Sequence, residues 1–237
     1  MKKDREIAPL HLCGDPLPWV EYGKHLGIYF HNKIEGMKQD IKVKRAKFIE
    51  RNNEIIQEYS FAHPKSKFKM NSIFNSQFTG SQVWDLFSQE AVMMENTWNK
   101  SIRLMFELPL QTHRYFICPI SESTHVKAML IKRFISFTGK LETSTKNTVK
   151  HLYKFVKQDA QSITGSNLRN IRLLLGKDEN QNLYPSDARD VKYHQAGVDD
   201  LWKINFLKEL IEVKHGNLNT GLNHDEIEEI IEHLCTS

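Results

Sequence analysis

Between residues 84 and 105 the apolar side chains Trp84, Phe87, Ala91, Met94, Trp98, Ile102 and Met105 recur at intervals of three and four. A helix of 3.6 residues per turn gathers such a set onto one face. Two tryptophans and two methionines in a single stripe need an opposing layer, because each large side chain contributes about 1.5–3 kcal/mol once it leaves water. Ser81 is placed to cap this helix and Leu108-Pro109 to end it. The chain is therefore built around a buried helix, and its other segments must cover that helix.

Those segments read mostly as helices. Residues 37–59 set Ile41, Phe48, Ile55, Ile56 and Tyr59 near helical spacing, with Lys42, Lys44, Arg45, Lys47 and Arg51 between them. This predicts a long amphipathic helix with a basic outer face, ended by His63-Pro64. A shorter helix is predicted over 69–78, closed by Thr79-Gly80. Others follow over 109–116, 123–137, 147–164, 167–175, 200–214 and 224–234, with glycines in or beside the connectors. The last helix opens with Asn223 as cap and Glu226 three residues on, a capping-box pattern. Ahead of the helices, residues 7–13, the turn Gly14-Asp15-Pro16 and the extended run 19–30 read as a β-hairpin. Pro9, Pro16 and Pro18 confine that hairpin to an edge or a bulged ribbon. The fold class is mainly α, with an N-terminal β-hairpin over 1–36, basic helices over 37–80 and a helical region over 81–237.

A chain of 237 residues, 40% hydrophobic and 26% charged, can bury a substantial core. Cys13, Cys118 and Cys235 are too few and too scattered for a disulfide framework. No apolar run approaches the roughly 20 residues that cross a bilayer, and the N-terminus lacks the apolar stretch of a secretory signal. An intracellular location, cytoplasmic or nuclear, follows as the expectation. The net charge of +4 is unevenly spread. Residues 127–172 hold 10 Lys and Arg against 2 Asp and Glu, whereas residues 173–237 hold 6 against 13. The basic stretch suits a polyanion.

Eleven histidines invite a search for chemistry. His11, Cys13 and His25 lack the compact spacing of a zinc site. His113 beside Arg114 reads as a cap or a phosphate contact, and His224 and His233 lie on an acidic helix. Gly165-Ser166-Asn167 opens a predicted helix whose N–H groups could hold an anion, with Arg169 and Arg172 close by, although no phosphate-binding loop signature is present. Asp85, Glu90, Glu95, Asp199 and Asp200 do not form the carboxylate cluster needed for two-metal chemistry. Lys132, Arg133, Lys140, Lys146, Lys150, His151, Lys154 and Lys157 are spaced so that several share a helical face, with Tyr153 and Phe155 interleaved. Such a face would contact phosphates without reading sequence.

Lys24-His25-Leu26-Gly27-Ile28 resembles the K-x-L-G-I/V strand of the primer grip in the reverse transcriptases of non-LTR, LINE-like retrotransposons. The basic helix that follows occupies the place of that family's first thumb helix. Residues 78–114, with Trp84, Leu108-Pro109-Leu110 and Thr112-His113-Arg114, resemble its post-thumb region. Phe134 and the run Thr164-Gly165-Ser166-Asn167-Leu168-Arg169-Asn170-Ile171 resemble sequences near the C-termini of such reading frames. The similarity spans nearly the whole chain and rests on the order of several short motifs.

The resemblance implies a primer grip over 1–36, thumb-like helices over 37–80 and a helical extension over 81–237. It implies binding of an RNA–DNA or DNA duplex, with Trp19, His25, Leu26 and Gly27 at the primer end and Lys42, Arg45, Lys132, Arg133, Lys150, Lys154 and Arg169 on phosphates. The family's catalytic palm, with its aromatic-x-Asp-Asp hairpin, would lie upstream of residue 1, and the palm itself is an implied partner. The Mg²⁺ cofactor of that chemistry would belong to the palm, so the chain is expected to hold no cofactor, catalytic residue or small-molecule substrate and not to polymerise DNA. A helical protein-interaction module without a nucleic-acid role is the alternative reading.

Overall fold

The computed structural model describes residues 11–12, 15–16, 22–25, 28–31, 35–73, 78–179, 181–190, 201–216 and 221–236. Among them, short antiparallel pairs precede a succession of helices. β1 (His11–Leu12) pairs with β2 (Asp15–Pro16), and β3 (Tyr22–His25) with β4 (Ile28–His31). The hairpin predicted over 7–30 falls largely outside the described residues. Where the backbone is described, Lys24 pairs with Tyr29 and His25 with Ile28.

The helices are α1 (Glu35–Glu58), α2 (Pro64–Ile73), α3 (Gln89–Met105), α4 (Arg114–Ser121), α5 (Val126–Glu142), α6 (Asn147–Gln158), α7 (Ile163–Leu175), α8 (Leu201–Lys214) and α9 (His224–Thr236). The chain is mainly α, as its periodicity predicts. The buried apolar residues form one cluster that runs from Ile41 of α1 to Cys235 of α9. Its densest part is aromatic. Phe48 of α1 stacks on Trp98 of α3 at 5.5 Å between ring centres, and Phe78 lies 6.3 Å from Trp84 and 5.8 Å from Trp98. Aromatic pairs at such distances add about 0.5–1.5 kcal/mol each beyond their burial.

Several helix boundaries differ from the periodicity, each for a local reason. Trp84 and Phe87 belong to the stripe by spacing, yet α3 starts only at Gln89. Asp85 Oδ1 accepts the Phe87 N–H at 3.1 Å, and Ser88, not Ser81, caps the helix by accepting from Ala91 N. An Asp side chain that takes a backbone N–H two residues on competes with helix formation. Trp84 is nonetheless fully buried. Pro64 begins α2 and does not merely end α1, since the first helical position needs no N–H. The helix predicted over 109–116 is shifted to α4. Residues 109–112 form a turn in which the Thr112 N–H and hydroxyl both donate to Pro109 O, and the Arg103 guanidinium donates to Thr112 O at 2.6 Å. The capping box of α9 is present, with Glu226 N donating to Asn223 Oδ1 and Asn223 N to Glu226 Oε2, both at 2.9 Å.

Two buried polar clusters tie segments distant in sequence. Asp40 of α1 accepts from Lys44 Nζ and from Trp84 Nε1, each at 2.7 Å, and Lys44 also donates to the Thr79 carbonyl. Asn167 of α7 is fully buried, donates to Trp84 O at 2.7 Å and accepts from Leu86 N at 3.1 Å. The turn that carries Trp84 is thus held from both sides.

A third cluster joins the start of α2 to the end of α8. His63 and His215 meet edge to face at 5.6 Å, and His63 Nε2 lies 3.3 Å from Glu212. Burial lowers the His215 pKa below its ordinary value of 6.5; Glu107 opposes the shift, and His63, Lys67 and Lys214 reinforce it. The unfolded chain then takes up this proton more readily than the folded one, so the contribution is complete above pH 6.5 and is lost as pH falls through the depressed value. Thermal melts between pH 8 and 5 are expected to show a falling midpoint below pH 6.5, and His215→Gln to make that fall shallower. An unchanged slope in the variant would remove His215 as its source.

Candidate nucleic-acid interface

On α6, Lys150, Lys154 and Lys157 stand at i, i+4 and i+7 and so share one face, while Tyr153 is buried. The helix predicted over 147–164 is interrupted. α6 ends at Gln158, Asp159 is extended, and Ser162 caps α7 by accepting from Gly165 N at 2.9 Å. The Ser162 hydroxyl also lies 2.8 Å from the carbonyls of Val156 and Asp159, which locks the elbow. α7 closes at Gly176 with φ +62°, where Lys177 N donates back to Arg172 O at 2.9 Å, an ending that favours glycine.

The elbow lays α7 beside α6 and leaves a cleft of about 900 Å³ between them and the segment after Gly176. Lys150, Lys154, Lys157, Arg169, Arg172 and Lys177 line it against two carboxylates, Glu142 and Glu179. Some of these cations are already oriented by the protein. Lys157 lies 3.0 Å from Glu142 and 5.8 Å from the Tyr153 ring centre. Lys177 lies 2.6 Å from Asp187. Burial pushes the Asp187 carboxyl up, but hydrogen bonds from Lys177 and from Tyr184 N outweigh it and leave the pKa below its usual value. Arg172 reaches Gln181 O at 3.5 Å and Arg169 reaches Ala160 O at 3.3 Å. The Lys150 and Lys154 side chains are exposed and make no hydrogen bond or ion pair with the described residues. Burial, helped by Glu142, raises the Tyr153 pKa, so its phenol stays neutral and serves as part of the wall.

Of the eleven residues singled out from the sequence, the cleft gathers Lys150, Lys154 and Arg169. Lys42 and Lys132 are exposed on α1 and α5, away from its lining. Arg45 donates to Thr97 Oγ1 at 2.7 Å and clasps α1 to α3. Arg133 donates to Phe78 O at 2.9 Å with its guanidinium 5.8 Å from the Phe78 ring centre, and burial lowers its pKa. Both arginines serve the fold in this arrangement. His25 has a described backbone in β3, whereas Trp19, Leu26 and Gly27 lie outside the described residues. Lys177 was missed by sequence reasoning; its place just after the αL glycine that ends α7 is the signal that could have found it.

The N–H groups at Gly165-Ser166, weighed as an anion contact, are taken up within the protein. Gly165 N donates to Ser162 Oγ, Ser166 N to Ser162 O, and Asn167 is buried inside the protein. Burial pushes the Cys118 thiol up to about 11, which keeps it protonated near neutral pH. Among the described residues no group of three or more His, Cys, Asp or Glu could hold a metal ion, and no helix is long and apolar enough to cross a membrane. Compared with protein-family models, curated proteins and solved structures, the chain matches none.

Proposed function

We propose that this chain is a non-catalytic, nucleic-acid-binding portion of a retroelement RNA-directed DNA polymerase, which holds the phosphate backbone in the α6–α7 cleft. The observation that carries the reading is the convergence of six cations from two helices and the following segment on one concavity, with the Lys150 and Lys154 side chains making no bond to described residues. The order of sequence motifs, from the primer-grip-like strand through the basic helix to the run around Arg169, supports the family reading. Residues so placed bind phosphate without reading bases and release counterions as they do so.

Fluorescence anisotropy with a labelled RNA–DNA hybrid tests this. Affinity is expected to fall steeply with salt, and the triple variant Lys150→Glu/Lys154→Glu/Arg169→Glu to lose at least tenfold at moderate salt. The log–log salt slope should drop by about 0.9 for each phosphate contact removed if the bound nucleic acid behaves like B-form duplex. No binding at low salt would instead favour a helical protein-interaction module.

A further inference from the structure

The cleft differs from a flat basic surface in two ways that bear on the form of nucleic acid it takes. Its cations come from two packed helices, Lys150 and Lys154 from α6 and Arg169 and Arg172 from α7. Packed helix axes stand about 8–10 Å apart, so a crevice between two helices can grip one backbone from both sides. A duplex carries its two backbones on the outside of a cylinder and accepts a helix into its own major groove, about 12 Å wide. It would lay one backbone along this crevice and keep its base faces out of reach.

The lining also holds apolar groups among the polar side chains Gln158 and Asn182. Leu173 is 73% exposed and lines the cleft, as do Tyr153, Ala160 and Gly165. A duplex keeps its base faces stacked inside and offers such a surface nothing but sugar edges and phosphates. An unpaired nucleotide offers a base face to the exposed Leu173 and a phosphate to the cations at once, the combination by which single strands are bound without sequence preference.

Building on the nucleic-acid reading above, we infer that the α6–α7 cleft is a single-strand site, which seats one or two unpaired nucleotides with a base against Leu173 and the backbone between Lys154 and Arg169. The test uses the full chain with a labelled 12-nucleotide oligo(U) and a blunt hairpin duplex of equal phosphate count, at the same salt. The single strand is expected to bind at least fivefold tighter. Leu173→Ser should weaken the single strand about three- to tenfold and leave the duplex unchanged, and Lys150→Gln/Lys154→Gln should cost the single strand at least tenfold. Ultraviolet crosslinks from a 4-thiouridine oligomer should map to residues 150–177, a readout that does not depend on the variants folding. Equal or tighter duplex binding that still depends on Lys150 and Lys154 overturns the single-strand assignment and leaves the polyanion reading standing. Crosslinks confined to other segments also overturn it, and no binding of either probe at low salt overturns both.

Discussion

Asp40→Ala is expected to destabilise the protein by about 3–5 kcal/mol, the range for breaking one side of a buried ion pair. Asp40 is 0% exposed and Lys44 6% exposed, and the carboxylate is the acceptor for both the Lys44 ammonium and the Trp84 indole N–H. Truncation leaves the Lys44 ammonium without its carboxylate, beside the Thr79 carbonyl and the Trp84 ring, and removes the acceptor of a buried N–H. Asp40→Asn keeps an acceptor for Trp84 and should cost less. Replacing both partners with apolar residues of similar volume, Asp40→Leu/Lys44→Met, should recover part of the loss, because such pairs contribute little net stability once desolvation is counted. Urea unfolding read as a midpoint at constant slope measures all three. A loss below 1 kcal/mol for Asp40→Ala would mean that water reaches the pair.

Gly165→Val is expected to cost about 1–3 kcal/mol, as overpacking in close-packed interiors does, and to weaken nucleic-acid binding beyond what the loss of stability explains. A Cβ at this position would press on the backbone carbonyl of Asp159 and on the Ser162 hydroxyl, neither of which is the yielding end of a long side chain. Relief requires α7 to move away from the elbow, which widens the cleft that α6 and α7 enclose. Gly165 has helical φ and ψ, so the need for glycine comes from close approach rather than from backbone freedom. The glycine at 139, with open space around it, provides the control, and Gly139→Ala should be neutral or slightly stabilising. Binding measured on folded Gly165→Val separates the two effects, and unchanged affinity would show that the elbow does not set the cleft.

The helical class and the burial of Trp84, Met94, Trp98, Ile102 and Met105 were legible from spacing, because which face of a helix is apolar is settled within a few turns. The α9 capping box was equally legible, since both of its hydrogen bonds are made within four residues. Where one side chain outbid the helix for a backbone group, periodicity misplaced the boundary: Asp85 takes the Phe87 N–H, and Ser162 breaks what reads as one helix over 147–164.

The candidate site divides along the same line. The sequence alone located the excess of positive charge over residues 127–172 and the helical spacing that puts Lys150 and Lys154 on one face. Only the tertiary structure separated cations that work for the fold from those turned to solvent. Arg133 is drawn to the Phe78 carbonyl and Arg45 to Thr97, although nothing in their spacing distinguishes them from Lys154. Tertiary structure also placed Asn167, weighed as part of an anion contact, in the core, and brought Lys177 to the same cleft as Lys150. Charge and periodicity are properties of neighbours along the chain, whereas a buried partner or a facing wall exists only once distant segments have packed and excluded water.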